Sequence, residues 1–310
     1  MDVFGVIMAD LVPLYLLIGV GYIAGRYLDV NLHSISRICL YILLPPVFLG
    51  AMTRIDIQPS LIVLPLITLV SSYIITLSAL NIAKRIWQDG TANSIASAAV
   101  NANAVYFGLP IVLALFGPHG ASIYLFMNLG GAINNASLSY YISARGRFTV
   151  QQSLKRLMKL PVLYAVVLGL VFNYAGITMN PIAEKYWDYA AGALTILGMM
   201  MIGISVSKLG GLSIRWGELG ALFLIKYVAW PVMLGAVIFV DVHWFGWLNH
   251  EIYALMIILS FMPLFANYVA YAAENNLFPE RAGSAVLLSS LFSTVAIPFA
   301  YFLIQYFGFN

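Results

Sequence analysis

Two stretches of the sequence place amides inside apolar runs, where side chains of this type could hold a polar solute. The first contains Asn101, Asn103, Tyr106 and Pro110, with Gly108 between the last two. Proline removes a backbone donor and glycine weakens a helix, while the amides can satisfy or use the backbone groups that are then exposed. The pattern predicts an interrupted helix near the middle of a membrane span.

The second stretch, residues 260–267, has Pro263 and Asn267 at the middle of a later apolar run. Interrupted helices in corresponding positions of two halves of a chain point to a binding site at the membrane midplane. For either span alone, an alternative stays open in which proline kinks the helix and amides hold neighbouring helices together. The pair favours the binding-site interpretation.

A polar helix face is predicted between these stretches. Tyr124, Asn128, Gly131 and Asn135 follow each other at steps of four, three and four residues, so they share one face. A polar face with a small residue is poorly suited to lipid contact. Asn128 and Asn135 therefore either contact substrate or hold helices together, and both interpretations stay open.

Two ionisable residues inside apolar spans are candidates for ion or proton coupling. Lys226 lies about 12 Å along the helix axis from the start of its span. Its ammonium could balance an anionic substrate or pair with carbonyl groups at a broken helix, whereas its long stem also permits snorkelling to the headgroups. Asp10 could titrate or pair, or contact water in an outer vestibule.

The other chemistry-bearing residues form no catalytic or metal-ligand pattern. The four histidines fall in loops or at span ends without ligand spacing, and the single cysteine, Cys39, allows no internal disulfide. The spans contain no nucleophile with a base, no aspartate pair and no zinc-protease motif. We therefore expect no enzyme, no metal site and no cofactor.

The composition requires that these residues work inside a membrane. Of 310 residues, 62% are hydrophobic and 9% charged, with a mean hydropathy of +0.92, whereas about a quarter of a soluble domain is charged. At about 20 residues a span, the chain has room for roughly ten spans. The predicted spans are 3–26, 35–53, 57–84, 93–116, 121–142, 161–176, 188–207, 216–240, 252–274 and 282–308.

The basic residues support this count. With the N-terminus outside, 12 of the 15 Lys and Arg residues fall in cytoplasmic segments, as the positive-inside rule requires. Both termini are then extracytoplasmic. The basic segment 145–160 separates two sets of five spans, whose opposite orientations predict an inverted repeat. Nucleic acid is not an expected partner.

The sequence resembles the auxin efflux carrier family of transporters over essentially its whole length. The resemblance rests on short motifs in the right order: Leu44 and Pro45; Asn103, Gly108, Pro110 and residues 115–117; Lys226 with Pro231; Pro263, Ala266, Asn267, Val269 and Ala270; and the serine-rich run 287–298. It implies an all-α polytopic membrane protein of ten helices in two inverted five-helix repeats. Helices 4 and 9 would be discontinuous and cross each other, with Asn103, Pro110, Pro263 and Asn267 at the crossing.

The resemblance also implies a division of labour along the chain. Scaffold segments 1–56 and 161–210 would form a homodimer in the lipid bilayer, and core segments 57–144 and 211–310 would carry the substrate by an elevator-like motion. The substrate class is a small carboxylate, such as a dicarboxylate or an auxin-like acid, with proton or sodium coupling left open. The chain lacks the long central loop of many plant members, so a compact prokaryotic form in the bacterial inner membrane is expected.

A sodium-coupled organic anion symporter similar to the bile-acid carriers is the alternative, because those carriers share the crossing architecture. Their sites gather acidic ligands around the crossing, whereas no Asp or Glu lies at mid-depth near either interruption here. An intramembrane enzyme is a remote alternative.

Overall fold

In the computed structural model the described residues are 3–28, 30–55, 59–144, 161–208 and 212–309. Side chains are not described for residues 3–11, His33, 59–60 and Ala270, and the basic segment 145–160 lies outside the described residues. Regular structure within these ranges is helical, with one isolated antiparallel bridge between Ala102 and Leu264 and no strand.

The α-helices of the described ranges are numbered in chain order. They are α1 (Val3–Tyr27), α2 (Leu32–Ile38), α3 (Leu44–Arg54), α4 (Pro59–Ile62), α5 (Leu64–Ile86), α6 (Thr91–Ala98), α7 (Leu109–Met127), α8 (Leu129–Asn134), α9 (Tyr140–Ser143), α10 (Pro161–Tyr174), α11 (Pro181–Ser207), α12 (Trp216–Leu224), α13 (Trp230–Val240), α14 (His250–Phe261), α15 (Asn267–Glu274) and α16 (Pro279–Phe307).

Six helical stretches in the described residues are long and apolar enough to cross a membrane. They are Ser34–Arg54, Leu64–Ile86, Ala104–Ser143, Pro181–Ser207, Trp216–Phe245 and Pro279–Phe307, and three shorter apolar helices are Val12–Tyr27, Pro161–Tyr174 and His250–Phe261. The protein is therefore an all-α polytopic membrane protein. Helical backbone occurs in each predicted span, while the arrangement as two inverted five-helix repeats stays a prediction.

The longest stretch, Ala104–Ser143, breaks sharply at Gly117. A straight helix of its 40 residues would be about 60 Å long, twice the hydrocarbon thickness of a bilayer. Gly117 adopts φ 66° and ψ −171°, which is backbone that only glycine accommodates readily. Gly117 thus separates residues 104–116, about 20 Å of helix, from residues 118–143, about 39 Å. The break lies where the sequence predicts the connection between the fourth and fifth spans.

Three π-helical turns each precede a helix whose second residue is proline. The turns are Cys39–Leu43, Ala104–Gly108 and Ile225–Ala229, followed by Pro45, Pro110 and Pro231. Proline cannot donate a hydrogen bond, and its ring crowds the carbonyl four residues earlier. A wider turn accommodates the ring without ending the helix, so these prolines widen the helices that contain them.

Internal contacts divide the chain into two units. The first unit comprises Met1–Pro59, Ala104–Phe126 and Met158–Lys208. Within it α1 packs along α11, and α3 packs along α10.

The second unit comprises Ser60–Asn103, Met127–Leu157 and Leu209–Asn310. In it α5 packs against α6 and α8, and α16 packs against α14 and α15. Its main apolar core joins α6, α15 and α16, and includes Ile95, Leu264, Phe265, Tyr268 and Val286.

The predicted scaffold segments 1–56 and 161–210 fall almost wholly in the first unit. The predicted core segments 57–144 and 211–310 fall largely in the second, with residues 104–126 as the exception because their contacts are in the first unit. The assignment of scaffold and transport roles to these segments stays a prediction.

Candidate functional site

Two interrupted helices meet in the second unit. The first is interrupted after α6, and its extended residues Asn101–Asn103 run antiparallel to the extended segment that separates α14 from α15. The amide of Asn103 donates to the carbonyl of Pro263 (2.9 Å), and the amide of Phe265 donates to the carbonyl of Asn101 (3.2 Å). Both interruptions lie at the asparagine and proline positions singled out in the sequence.

We call residues 101–103 and 262–266 the crossing. Their pairing satisfies backbone groups that would otherwise be orphaned in a membrane. An unpaired amide or carbonyl in hydrocarbon costs several kcal/mol, so irregular backbone at depth requires protein partners. Each extended segment supplies partners for the other, and Ser289 Oγ on α16 accepts from the amide of Leu264 (3.1 Å).

The two asparagines of the first interruption have different surroundings. Asn101 Nδ2 donates to the carbonyl of Ser97 (2.7 Å) and to Oγ of Ser139 (2.8 Å), and its Oδ1 accepts from Asn134 (3.3 Å). Asn103 is equally buried, at 4% exposure, but its Nδ2 has no hydrogen-bond partner among the described residues. Asn101 therefore holds helices together, whereas Asn103 keeps a donor unused.

The second interruption contributes Pro263 and Asn267. Pro263 lies in the extended segment, where its missing N–H leaves no ladder bond unmade and its carbonyl accepts from Asn103. Asn267 is half-buried and is the first residue of α15. Both residues therefore belong to the crossing or directly follow it.

The polar face of the predicted fifth span lies on α8 and on the π-helical turn Asn135–Ser139. Asn135 has a buried Oδ1 without a partner among the described residues. Asn128 is half-buried and precedes α8. The neighbouring Asn134 was not singled out from the sequence, yet it joins the network of Asn101 and also leaves its Oδ1 unpaired.

Lys226 lies in the π-helical turn Ile225–Ala229 and is fully buried. Its Nζ has no hydrogen-bond partner among the described residues, so the ammonium does not snorkel to the surface in this structure. The turn packs against α5 and α14, and the adjacent Ile225 packs against the apolar core that includes Leu264 and Phe265 of the crossing. A cationic group thus lies buried in the unit that contains the crossing.

Three other predicted site residues, Tyr106, Pro110 and Asp10, lie outside the second unit. Tyr106 and Pro110 belong to the first unit, where Tyr106 is buried with an unpaired hydroxyl and packs against Gly198 of α11. Pro110 is the second residue of α7. Asp10 lies in α1, but its side chain is outside the described part of the structure.

A charged cluster at the start of α12 was missed from the sequence, because Glu218 stands near the end of a predicted span where a solvated carboxylate is the usual expectation. Glu218 is instead buried, and its carboxylate lies 3.4 Å from Arg281. Nearby, Arg215 pairs with Asp89 at 3.1 Å. The pKa of Asp89 lies below its ordinary value, mainly because of its hydrogen bond with Thr91.

Comparison with known proteins matches the chain to transporters. The family model for membrane transport proteins matches residues 142–301, which are 160 of the 310 residues. An uncharacterized transporter of Methanothermobacter thermautotrophicus is 23% identical over 290 residues, which cover 91% of this chain and 93% of that protein. An uncharacterized transporter of Methanocaldococcus jannaschii is 26% identical over 221 residues, which cover 67% of this chain and 72% of that protein.

Proposed function

Since the chain belongs to the family of membrane transport proteins known as the auxin efflux carrier family, we propose that it is a secondary transporter of a small organic anion. The family and the two related transporters make it an integral membrane transporter and not an enzyme. Both results agree with the sequence-based predictions. The substrate class proposed is a carboxylate, such as a dicarboxylate or an auxin-like acid.

The observation that carries this proposal is the side-chain amide of Asn103, whose Nδ2 has no hydrogen-bond partner among the described residues. A buried donor without a partner costs about 1–3 kcal/mol, and no described residue accepts from this group. A carboxylate oxygen accepts hydrogen bonds from amides and backbone N–H groups. A bound anion would therefore remove the cost of this unpaired donor.

The charge of Lys226 supports an anion over a cation or a neutral solute. A buried ammonium with no counter-charge is strongly unfavourable, and Lys226 is fully buried with an unpaired Nζ. An anion in the same unit would offset part of this cost through the low effective dielectric of the interior. Asn267, at the N-terminus of α15, adds a second amide and the positive end of a helix dipole.

The proposed transport cycle is elevator-type alternating access, in which the second unit carries the anion. The proposal includes ten spans in two inverted repeats, a homodimer formed by scaffold helices and location in a bacterial inner membrane with both termini outside. The paired interruptions support it, because discontinuous helices at the midplane are typical of transporters built from inverted repeats.

Uptake into proteoliposomes tests the proposal. The purified chain is reconstituted, and homoexchange is measured with labelled malonate, succinate and indole-3-acetate, each against its own unlabelled form. We expect saturable exchange of at least one acid, and a loss of at least about tenfold in exchange for Asn103→Ala and for Asn267→Ala, since one charge-assisted hydrogen bond is worth about 1.5–3 kcal/mol.

Asn249→Ala is the matched control, because Asn249 is an exposed amide that caps α14 by accepting from the amide of Ile252. It tests the effect of a small loss of helix stability on exchange. Exchange that is unchanged in both Asn103→Ala and Asn267→Ala would refute the site assignment. Exchange that requires sodium would favour the bile-acid-carrier type of mechanism.

A further inference from the structure

Glu218 is a buried carboxylate that the proposed site does not use. It lies in the first turn of α12 and is 3% exposed. Its Oε2 lies 3.4 Å from Nη1 of Arg281 on α16, and its Oε1 accepts a hydrogen bond from Oγ of Ser94 on α6 (3.3 Å). One carboxylate thus joins three helices of the second unit.

Ser94 connects this carboxylate to the helix that follows the crossing. Its Oγ is 2.5 Å from the hydroxyl of Tyr268, and both residues are buried. A serine hydroxyl has a single proton. While Ser94 donates to ionised Glu218, Tyr268 must therefore donate to Ser94. This hydroxyl chain, which consists of Tyr268, Ser94 and Glu218, begins at the residue next to Asn267.

The other side of Glu218 faces a small, partly open pocket of about 10 Å³. Its polar lining comes from Ser213, Arg215, Glu218, Arg281 and Ser284. The side chains of Arg215 and Arg281 are 42% and 28% exposed, so solvent reaches this side of the cluster. The carboxylate therefore lies between an aqueous pocket and a hydroxyl chain that leads inward.

We infer that Glu218 is a proton-binding residue that couples transport of the organic anion to one proton, an inference that rests on the function proposed above. A proton from water in the pocket binds a carboxylate oxygen, and one O–H bond forms. Neutral Glu218 loses its charge attraction to Arg281 and can donate to Ser94, which then turns its own proton toward Tyr268. Protonation thus reverses the hydroxyl chain that ends beside Asn267.

The charged and titratable groups around Glu218 come from each element packed against α12. Arg281 on α16 pairs with it directly, and Tyr268 on α15 closes the hydroxyl chain. Arg215 precedes α12 and is itself paired with Asp89, which precedes α6. In the π-helical turn that continues α12, Lys226 lies about 12 Å further along the helix axis. Loss of the Glu218 charge leaves Arg281 as the nearest uncompensated cation.

Two measurements on the reconstituted full chain separate this inference from the proposed function. Homoexchange of labelled malonate, succinate or indole-3-acetate needs no net proton movement, and so it reports substrate transport alone. Net uptake driven by an imposed pH gradient reports coupling, and each pH unit supports up to about a tenfold concentration ratio per coupled proton. We expect wild type to show both, and Glu218→Gln to keep exchange within about threefold while gradient-driven uptake falls to the level without a gradient.

Two further variants distinguish coupling from a merely structural role. Glu280→Gln removes an exposed carboxylate one residue from Arg281 and should keep gradient-driven uptake. Ser94→Ala keeps the carboxylate but breaks the hydroxyl chain, so we expect exchange to persist while gradient-driven uptake falls at least about fivefold. If Glu218→Gln folds poorly, Glu218→Asp is measured in its place. Because it retains a carboxylate, we expect it to keep part of the coupling.

A substrate-free measurement decides the inference even if none of the three acids is transported. Infrared difference spectra of the purified protein, taken as the pH changes from about 9 to about 4, should contain a carboxylic acid band that is absent in Glu218→Gln and present in Glu280→Gln. An identical set of bands in wild type and Glu218→Gln would overturn proton binding by Glu218. Gradient-driven uptake that persists in Glu218→Gln would overturn its role in coupling.

Discussion

The two units of this protein differ in how much they rely on close glycine contacts and on side-chain hydrogen bonds. In the first unit, backbones approach closely where side chains are absent, as at Gly21 and Gly203, where α1 meets α11. The second unit has such a contact at Gly130, but side-chain hydrogen bonds between its described elements are more numerous, as in the network of Asn101, Asn134 and Ser139. Apolar helices in lipid gain little from burial alone, so close packing and polar contacts are the two available means of association.

This difference affects what each unit can do. A glycine contact has one geometry and offers no spare donor or acceptor, so it suits a rigid support. A polar network contains groups whose partners can change. In the second unit, Nδ2 of Asn103 and Nζ of Lys226 have no hydrogen-bond partner among the described residues. We therefore expect packing substitutions to act on stability, and substitutions of the unpaired polar groups to act mainly on transport.

The largest expected effect is a loss of stability from Gly203→Ala in the first unit. A Cβ at this position would lie against the carbonyl oxygen of Ile18 and 2.5 Å from the amide nitrogen of Tyr22. Because the backbone of α1 would have to shift to relieve this overlap, we expect about 3 kcal/mol of destabilisation, measured by thermal unfolding in detergent. Gly192→Ala on the same helix is the control, since a Cβ there meets no atom within 4 Å.

If Gly192→Ala destabilises the protein as much as Gly203→Ala, the close approach of α1 and α11 is not what stabilises the first unit. An unchanged unfolding temperature for Gly203→Ala would contradict the contrast between the two units.

The next largest effect separates Asn101 from Asn103. Asn101→Ala removes three hydrogen bonds and leaves Asn134 and Ser139 bonded only to each other within this network, so we expect about 2 kcal/mol of destabilisation. Asn103→Ala removes a side-chain donor that has no partner among the described residues, so it should lower stability by no more than about 0.5 kcal/mol while transport is lost. Unfolding temperature and exchange, measured on the same preparations, test this separation.

A reversed order, with Asn103→Ala the less stable variant, would mean that the Asn103 side chain is structural and that its unpaired donor has no role in binding.

A smaller effect of opposite sign is expected for Lys226→Met. Methionine keeps much of the side-chain volume and removes a buried charge that no described residue pairs with, so stability should rise by about 1 kcal/mol. Exchange of the organic anion should fall, because the positive charge that Lys226 contributes to the second unit is lost. Lys226→Arg, which keeps the charge, is the comparison for transport.

A fall in stability of Lys226→Met would show that the ammonium has a partner in the folded protein, and would remove the main support for an anionic substrate.

The smallest effect concerns the partly exposed pair of Asp89 and Arg215. The folded-state pKa of Asp89 is lowered from 3.8, mainly by the hydrogen bond with Thr91, so this residue adds stability above its ordinary pKa and loses that contribution as the pH falls through the folded value. Since the side chains are 48% and 42% exposed, Asp89→Asn should cost no more than about 0.5 kcal/mol at neutral pH. Its unfolding temperature should converge with that of wild type in acid.

A constant difference between Asp89→Asn and wild type from neutral to acid pH would show that the charge of Asp89 does not contribute.

Much of the fold could be predicted from the sequence because its signals are local. The apolar length of each span, the interruption at Asn101–Asn103 and the break near Pro263 follow from hydropathy and from residues that cannot sit comfortably in a continuous helix. The family could be predicted for the same reason, since its motifs contain those residues. The close succession of the fourth and fifth spans at Gly117 was less evident, because one glycine replaces a loop.

The site was predicted less completely because a side chain's partners come from distant parts of the chain. Asn101 and Asn103 are equivalent in the sequence, yet one is fully hydrogen-bonded and the other is not. Glu218 was not singled out from the sequence, because its partners Ser94 and Arg281 are 124 and 63 residues away. Asn134 escaped notice because its partners lie on other elements.

The sequence by itself determined that this is a polytopic α-helical membrane transporter with two interrupted helices. Those properties depend on the cost of placing charge, proline and amides in hydrocarbon, which each residue carries regardless of its neighbours. The tertiary structure decided which polar groups are satisfied and which remain unpaired. That outcome depends on hydrogen-bond geometry within about 3 Å between residues far apart in the chain, and no local pattern encodes it.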